Sequence, residues 1–118
     1  MKLYLSHASN FDYQTELYKP LKAAFMGKYE IYFPHDVENN GQNSKDIIAT
    51  CDLVIAEVSR PSTGQGIELG WANAAGVPII CFHQENMKPS GAVKYVAKAM
   101  FSYTTTDSLV NELPKYLE

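Results

Sequence analysis

Apolar residues in this chain gather into short runs, and the breaks between the runs carry most of the side chains able to do chemistry. Residues 2–6 alternate and predict a first strand. Over residues 11–26, Phe11, Leu17, Leu21 and Phe25 recur at helical spacing, with Asn10 as the N-cap and Gly27 as the stop. Pro20 lies inside that window, so a kink or a break into two pieces is expected. Residues 30–33 predict a second strand that Pro34 ends, and the polar residues 36–43 (DVENNGQN) a loop. A short helix over 44–50 would turn Ile47 and Ile48 inward. Residues 52–58 are apolar on both faces, as a buried parallel strand should be. A helix over 66–75 closed by Gly76, a strand over 77–82, a helix over 92–99, a strand over 100–103 and an amphipathic helix over 107–117 complete the series.

Strands alternating with helices predict βαβ units. The expected fold is α/β: a single doubly wound, flavodoxin-like, five-stranded parallel sheet, order 2-1-3-4-5, with helices on both faces. At 118 residues the chain makes one domain, residues 1–118, with no internal repeat or linker.

Composition narrows the partners. With 46% hydrophobic and 19% charged residues the chain is globular rather than disordered. A net charge of −3 without a basic run argues against a nucleic-acid polymer, though a small nucleotide needs only a local site. No apolar run approaches the ~20 residues of a membrane span, so no membrane partner is expected. The opening MKLYLSHAS has too short an apolar run for a signal peptide, which makes the expected location cytoplasmic. Cys51 and Cys81 lie at or inside apolar segments without CxxC spacing and read as reduced packing residues.

The richest stretch is residues 61–72, PSTGQGIELGWA, directly after the apolar run LVIAEV. It puts a Gly-containing turn, a helix start and the carboxylate of Glu68 at the carboxyl end of a strand, where open α/β sheets bind ligands. Gly64 and Gly66 would let backbone N–H groups approach an anion or a sugar. Taken alone, Glu68 would be a first-turn acid favoured by the helix dipole by ~0.3–1 kcal/mol. The preceding glycines remove side chains that could shield it and open a chemical role. Ser62 and Thr63 suit a cap or turn, and equally a phosphate or sugar hydroxyl. Ser6 and His7 after the first strand, Pro34 to Asp36 after the second, Ser59 to Gly66 after the third and His83 to Glu85 after the fourth would line one edge of the sheet. No His/Cys/Asp spacing supports a metal, no cofactor motif occurs, and GxSxG, GxxxxGK[ST] and HExxH are absent. Asp52, at the opposite strand end, reads as structural, Trp71 as packing. Tyr4 is buried aromatic surface whose hydroxyl could reach a carboxylate.

Residues 51–72, CDLVIAEVSRPSTGQGIELGWA, resemble the nucleoside 2-deoxyribosyltransferase superfamily, especially its 2′-deoxynucleoside 5′-phosphate N-hydrolase branch. The resemblance implies a flavodoxin-like domain that cleaves or exchanges the N-glycosidic bond of (deoxy)nucleosides or their 5′-monophosphates without a cofactor. It implies Glu68, in IELG, as the nucleophile at C1′, and Tyr4, in LYL, as its support. Ser62 stands where transferases acting on free nucleosides carry an Asp and the monophosphate hydrolases a Ser. A hydroxyl can donate to a 5′-phosphate that a carboxylate would repel. Ser6, Ser9 or Ser90 would add donors, although Tyr95 stands where the hydrolases place a further phosphate-contacting Ser.

Two departures mark this chain. Ser44 occupies the place of the Asp that the family uses for the base and leaving group, with Asp46 two residues on as the substitute acid and Asp36 and Glu38 as rivals. Ser6, His7, Ala8 and Ser9 replace the family's Gly-containing loop. Asn43 and Ser44 would hydrogen-bond the base. The resemblance also implies a homodimer. The opening YLSHAS is similar to TIR domains, some of which cleave NAD with a Glu, and this is one alternative. A non-catalytic nucleotide-binding module is the other.

Overall fold

The computed structural model describes residues 1–117. Five strands form one parallel sheet: β1 Lys2–His7, β2 Glu30–Tyr32, β3 Leu53–Glu57, β4 Ile79–Gln84 and β5 Ala99–Tyr103. Their order is β2-β1-β3-β4-β5, as the alternating pattern predicts. Four α-helices flank it: α1 Lys19–Phe25, α2 Ser44–Ala49, α3 Thr63–Ala74 and α4 Thr106–Glu112.

Successive strand residues point to opposite faces, and the buried residues sort accordingly. Leu3, Leu5, Leu53, Ile55, Ile80 and Phe82 pack with Leu21 of α1 and Leu109 of α4. Tyr4, Val54, Ala56, Ile79 and Cys81 pack with Ile48 of α2 and Leu69 and Ala72 of α3. The connection after β1 leads toward β2 and the one after β3 toward β4. Between them opens the crevice at the topological switch point.

The boundaries differ from expectation where capping and proline decide. The segment expected over 11–26 changes helix type rather than breaking: a π-helical stretch Gln14–Tyr18 runs directly into α1, with Pro20 in the first turn of α1. There its missing N–H costs nothing. Asn10 does not cap it; Tyr13 is the flanking residue and makes no side-chain cap bond. Gly27 does supply the left-handed turn, at φ +84°. Helix α3 starts three residues earlier than expected because Ser62 is its N-cap, and Gly64 and Gly66 keep negative φ and run inside the helix. Glu68 therefore sits in the second turn, not the first. The loop over 36–43 contains a 3-10 turn, Val37–Asn39. Instead of a helix over 92–99 there is one 3-10 stretch, Gly91–Tyr95, capped by Ser90. Only Ile48 of the α2 pair is fully buried. The last helix gives way to a 3-10 turn, Leu113–Tyr116, where Pro114 enters.

His7 takes the α1 face, away from Tyr4 and Ser6, and is buried. Its Nδ1 lies 2.7 Å from the Ala8 carbonyl oxygen and its Nε2 2.7 Å from the Tyr18 hydroxyl. A carbonyl only accepts, so Nδ1 carries the proton and Nε2 accepts from Tyr18. Rings of Tyr13, Tyr18 and His35 surround it at 4.7, 5.1 and 5.0 Å between centroids. Burial is the main cause that pushes its pKa from 6.5 down to about 4.

The sign follows from linkage. Between pH 6.5 and 4 the unfolded chain binds a proton at His7 that the native chain refuses, so stability falls as pH falls through that window. That difference corresponds to roughly 3 kcal/mol at most. Urea unfolding across that window should show this loss, and His7→Gln should flatten it. An equally steep acid limb in the variant would assign the loss to other groups.

Candidate active site

Glu68 projects from α3 toward β1 and the start of α2. The Tyr4 hydroxyl donates to its Oε2 at 2.6 Å and the Ser6 hydroxyl to its Oε1 at 2.9 Å, so each carboxylate oxygen has its own donor. Ser44, the first residue of α2, places its Oγ 3.0 Å from the Tyr4 oxygen. The phenol has one proton and gives it to the carboxylate, which leaves Ser44 as donor to the phenol. Tyr4 itself is fully buried and its ring stacks on Tyr32 at 5.4 Å.

No lysine or arginine pairs with Glu68; the ion pairs among the described residues are Lys22–Asp36 and Lys115–Glu112. Burial raises the Glu68 pKa above 4.5, opposed by the hydroxyl bonds of Tyr4 and Ser6 and by the charge of His35. The Tyr4 phenol is pushed up by burial first and by Glu68 second, so it stays a donor. The result is a half-buried carboxylate, incompletely solvated and held in one orientation. Such a group can act as a nucleophile or a base.

The other expected site residues divide into three sets. Ser62, Gly66 and Ser90 line a pocket of about 440 Å³ between α3 and the 3-10 stretch before β5, beside Arg60, Thr63 and Gly70. Gly64 lies on the exposed surface of α3, outside that lining. Asp46, His7 and Ser9 are not brought to Glu68. Asp46 lies two residues from Ser44, a rotation of about 200°; it is exposed and makes no hydrogen bond or ion pair among the described residues. Asp36 is engaged with Lys22 at 2.8 Å. His7 faces the opposite side of the sheet, and Ser9 is exposed in a bend. Asn43 caps α2 through a bond from the Lys45 N–H.

Sequence reasoning placed His35 and Arg60 within segments at the site edge without giving either a role, and it overlooked Glu57. His35 is the histidine whose charge reaches Glu68. Arg60 leans over Phe11, its Cζ 4.4 Å from the ring centroid. Glu57 hides inside the apolar run: it is 1% exposed and its carboxylate accepts from the Ser59 N–H at 2.7 Å, the Ser59 hydroxyl at 2.8 Å and the Tyr103 hydroxyl. Ser59 in turn accepts from the Gln84 N–H, and the Gln65 amide donates to the Glu57 carbonyl at 2.7 Å. The signal was available, since a carboxylate on a doubly covered strand must find donors.

No protein-family model matches this chain, and no curated protein matches it. Solved structures do. The CMP N-glycosidase BcmB of Clostridium botulinum superposes with a TM-score of 0.72 at 22% identity, over 97% of this chain and 99% of that one. A conserved protein from Enterococcus faecalis V583 gives 0.63 at 13% identity, over 98% of each chain. A flavodoxin-like domain from a Synechococcus protein gives 0.55 at 13% identity, over 99% of this chain and 98% of the other. These likenesses establish the flavodoxin-like fold. Among the described residues, no helix is long and apolar enough to cross a membrane, and no group of three or more His, Cys, Asp or Glu could hold a metal.

Two outcomes follow from this geometry. Because burial raises the Glu68 pKa, the native state binds its proton more tightly, and stability contributed by the protonated form is lost as pH rises from about 4.5 through the folded pKa. Glu68→Gln should therefore melt higher than the parent at neutral pH, with the gap closing toward pH 4.5. A lower melting point across the whole range would refute the desolvation account. Gly66 meets no atom within 4 Å of an added Cβ. Gly66→Ala should then stabilise the apo protein by about 0.5–1 kcal/mol while weakening any ligand that uses the pocket.

Proposed function

We propose that this chain hydrolyses or transfers across the N-glycosidic bond of nucleoside 5′-monophosphates, with Glu68 as the nucleophile. The observation that carries the reading is the Tyr4–Glu68–Ser6 arrangement, a desolvated carboxylate oriented by two hydroxyls at the sheet edge. Glu68 would attack C1′ as the base departs through an oxocarbenium-like transition state, leaving a glycosyl ester on the carboxylate. Water or a second base would resolve it with net retention. Tyr4 and Ser6 would keep both oxygens in place while the ester forms and breaks, and Ser44 would hold Tyr4. Support for a nucleotide substrate comes from the fold shared with a CMP N-glycosidase and from the hydroxyls of Ser62 and Ser90 in one pocket. In this reading the protein works as a homodimer on the cytoplasmic nucleotide pool.

The departing base needs a proton, worth ~10²–10⁴-fold when supplied by a positioned group. With Asp46 turned away and Asp36 paired, His35, in the connection after β2, is the remaining candidate for that part.

Incubation with CMP, dCMP and the other (deoxy)nucleoside monophosphates, with chromatography for free base, tests the reading. Base release from at least one monophosphate is expected, with Glu68→Ala and Glu68→Gln slower by several orders of magnitude and still folded. No release from any of them would leave the nucleotide-binding module as the better reading. His35→Gln should slow a natural substrate far more than one with an activated leaving group. Equal slowing of both would remove His35 as the acid.

A further inference from the structure

Arg60 is the single arginine of the chain and sits in the connection between β3 and α3. Its guanidinium lies over Phe11, which belongs to the connection after β1, so it bridges the two loops that diverge at the switch-point crevice. A ring face attracts the cation but offers its N–H groups no ordinary hydrogen-bond acceptor. Nη1 is buried and has no hydrogen-bond partner among the described residues. Among the described residues no carboxylate forms an ion pair with Arg60 either. A guanidinium stays charged at any accessible pH, so burial of an unmatched N–H group disfavours the free state until an acceptor arrives.

The pocket beside it supplies the rest. Among the described residues, Arg60 is the sole charged side chain on its wall, and no Asp or Glu lines it. Ser62 and Ser90 face the same space, and each makes only a long bond to its local N–H, 3.5 Å to Gln65 and 3.4 Å to Ala92. Their hydroxyls are lightly committed.

We propose that Arg60 is a phosphate-binding residue that clamps the 5′-phosphate of a nucleotide, with Ser62 and Ser90 as flanking donors. The inference rests on the nucleotide reading above and adds the cation which that reading lacked. A planar fork matches phosphate oxygens two at a time, which no serine can do. The placement also joins recognition to the nucleophile, because Ser62 caps the helix that carries Glu68.

Binding decides the matter without turnover. Inorganic phosphate, cytidine and CMP are titrated by NMR into Glu68→Gln protein carrying Arg60, Arg60→Gln or Arg60→Lys, at low and high salt. With Arg60 present, CMP should bind at least about tenfold tighter than cytidine, and phosphate should move the amides of residues 60–66 and 90–92. Arg60→Gln should bring the CMP-to-cytidine ratio close to one, and Arg60→Lys should restore part of it. An unchanged ratio in Arg60→Gln overturns the proposal, as does failure of CMP to outbind cytidine. If Arg60→Gln does not fold, Arg60→Lys decides by the same ratio. Phosphate binding that depends on Arg60 in a protein releasing no base would keep this site and end the glycosidase reading. Base release from CMP with a ratio indifferent to Arg60 would do the reverse.

Discussion

A carboxylate without a cation, held at the sheet edge by two hydroxyls, sets the terms for the rest of this molecule. Hydroxyls stabilise a charge less than an ammonium or guanidinium does, and they leave it more reactive. The arrangement works only because Tyr4 and Ser6 are two residues apart on one strand and therefore share a face. Register secures it: Tyr4 lies beside Val54 and Ser6 beside Ala56 on β3. A slip of one residue would present Leu5 and His7 to Glu68 in their place, and would drive two polar groups into the opposite core. The central position of β1, paired on both sides, makes such a slip costly.

The second support is less visible. Glu57 gathers Ser59, Tyr103 and, through its own carbonyl, Gln65, so the ends of β3 and β5 and the first turn of α3 are tied at one point. Gln84 joins β4 to the same cluster through Ser59. Loss of the carboxylate would strand the Ser59 N–H and hydroxyl and the Tyr103 hydroxyl, at about 1–3 kcal/mol for each buried group left unpaired. A rigid exit from β3 fixes where α3 begins, and the start of α3 fixes where Glu68 arrives. The face that carries Glu68 is thus held by a polar cluster on the other side of the sheet.

Much of this was legible in the chain itself. Strand alternation and the lengths of the breaks sufficed for the topology, because parallel βαβ units leave few other ways to connect five short strands. Glu68 and Tyr4 stood out through the Gly-containing turn and the apolar setting of the tyrosine, and the fold brings them within 2.6 Å. Helix starts were harder. The glycines at 64 and 66 suggested a loop, whereas a serine cap outweighs their weak helix propensity. His7 looked like a site residue by its place at a strand end, but strand parity sends it to the far face. Asp46 failed for the same geometric reason on a helix, where two positions reverse direction. Glu57 was hidden and Arg60, though placed at the site edge, had no role, because a sequence shows a charge without showing what it meets.

The contacts that make the site reach far along the chain. Tyr4 and Glu68 are 64 residues apart and Tyr4 and Ser44 are 40 apart, and β1 joins β3 across a similar distance. Loop closure on that scale costs entropy before any contact rewards it, and parallel pairing of this kind forms late in folding. A nascent or partly unfolded chain therefore carries Glu68 as an ordinary hydrated acid with no special reactivity. The desolvated, oriented carboxylate comes into being with the finished sheet and is lost with it, so whatever chemistry its surroundings allow belongs to the folded chain alone.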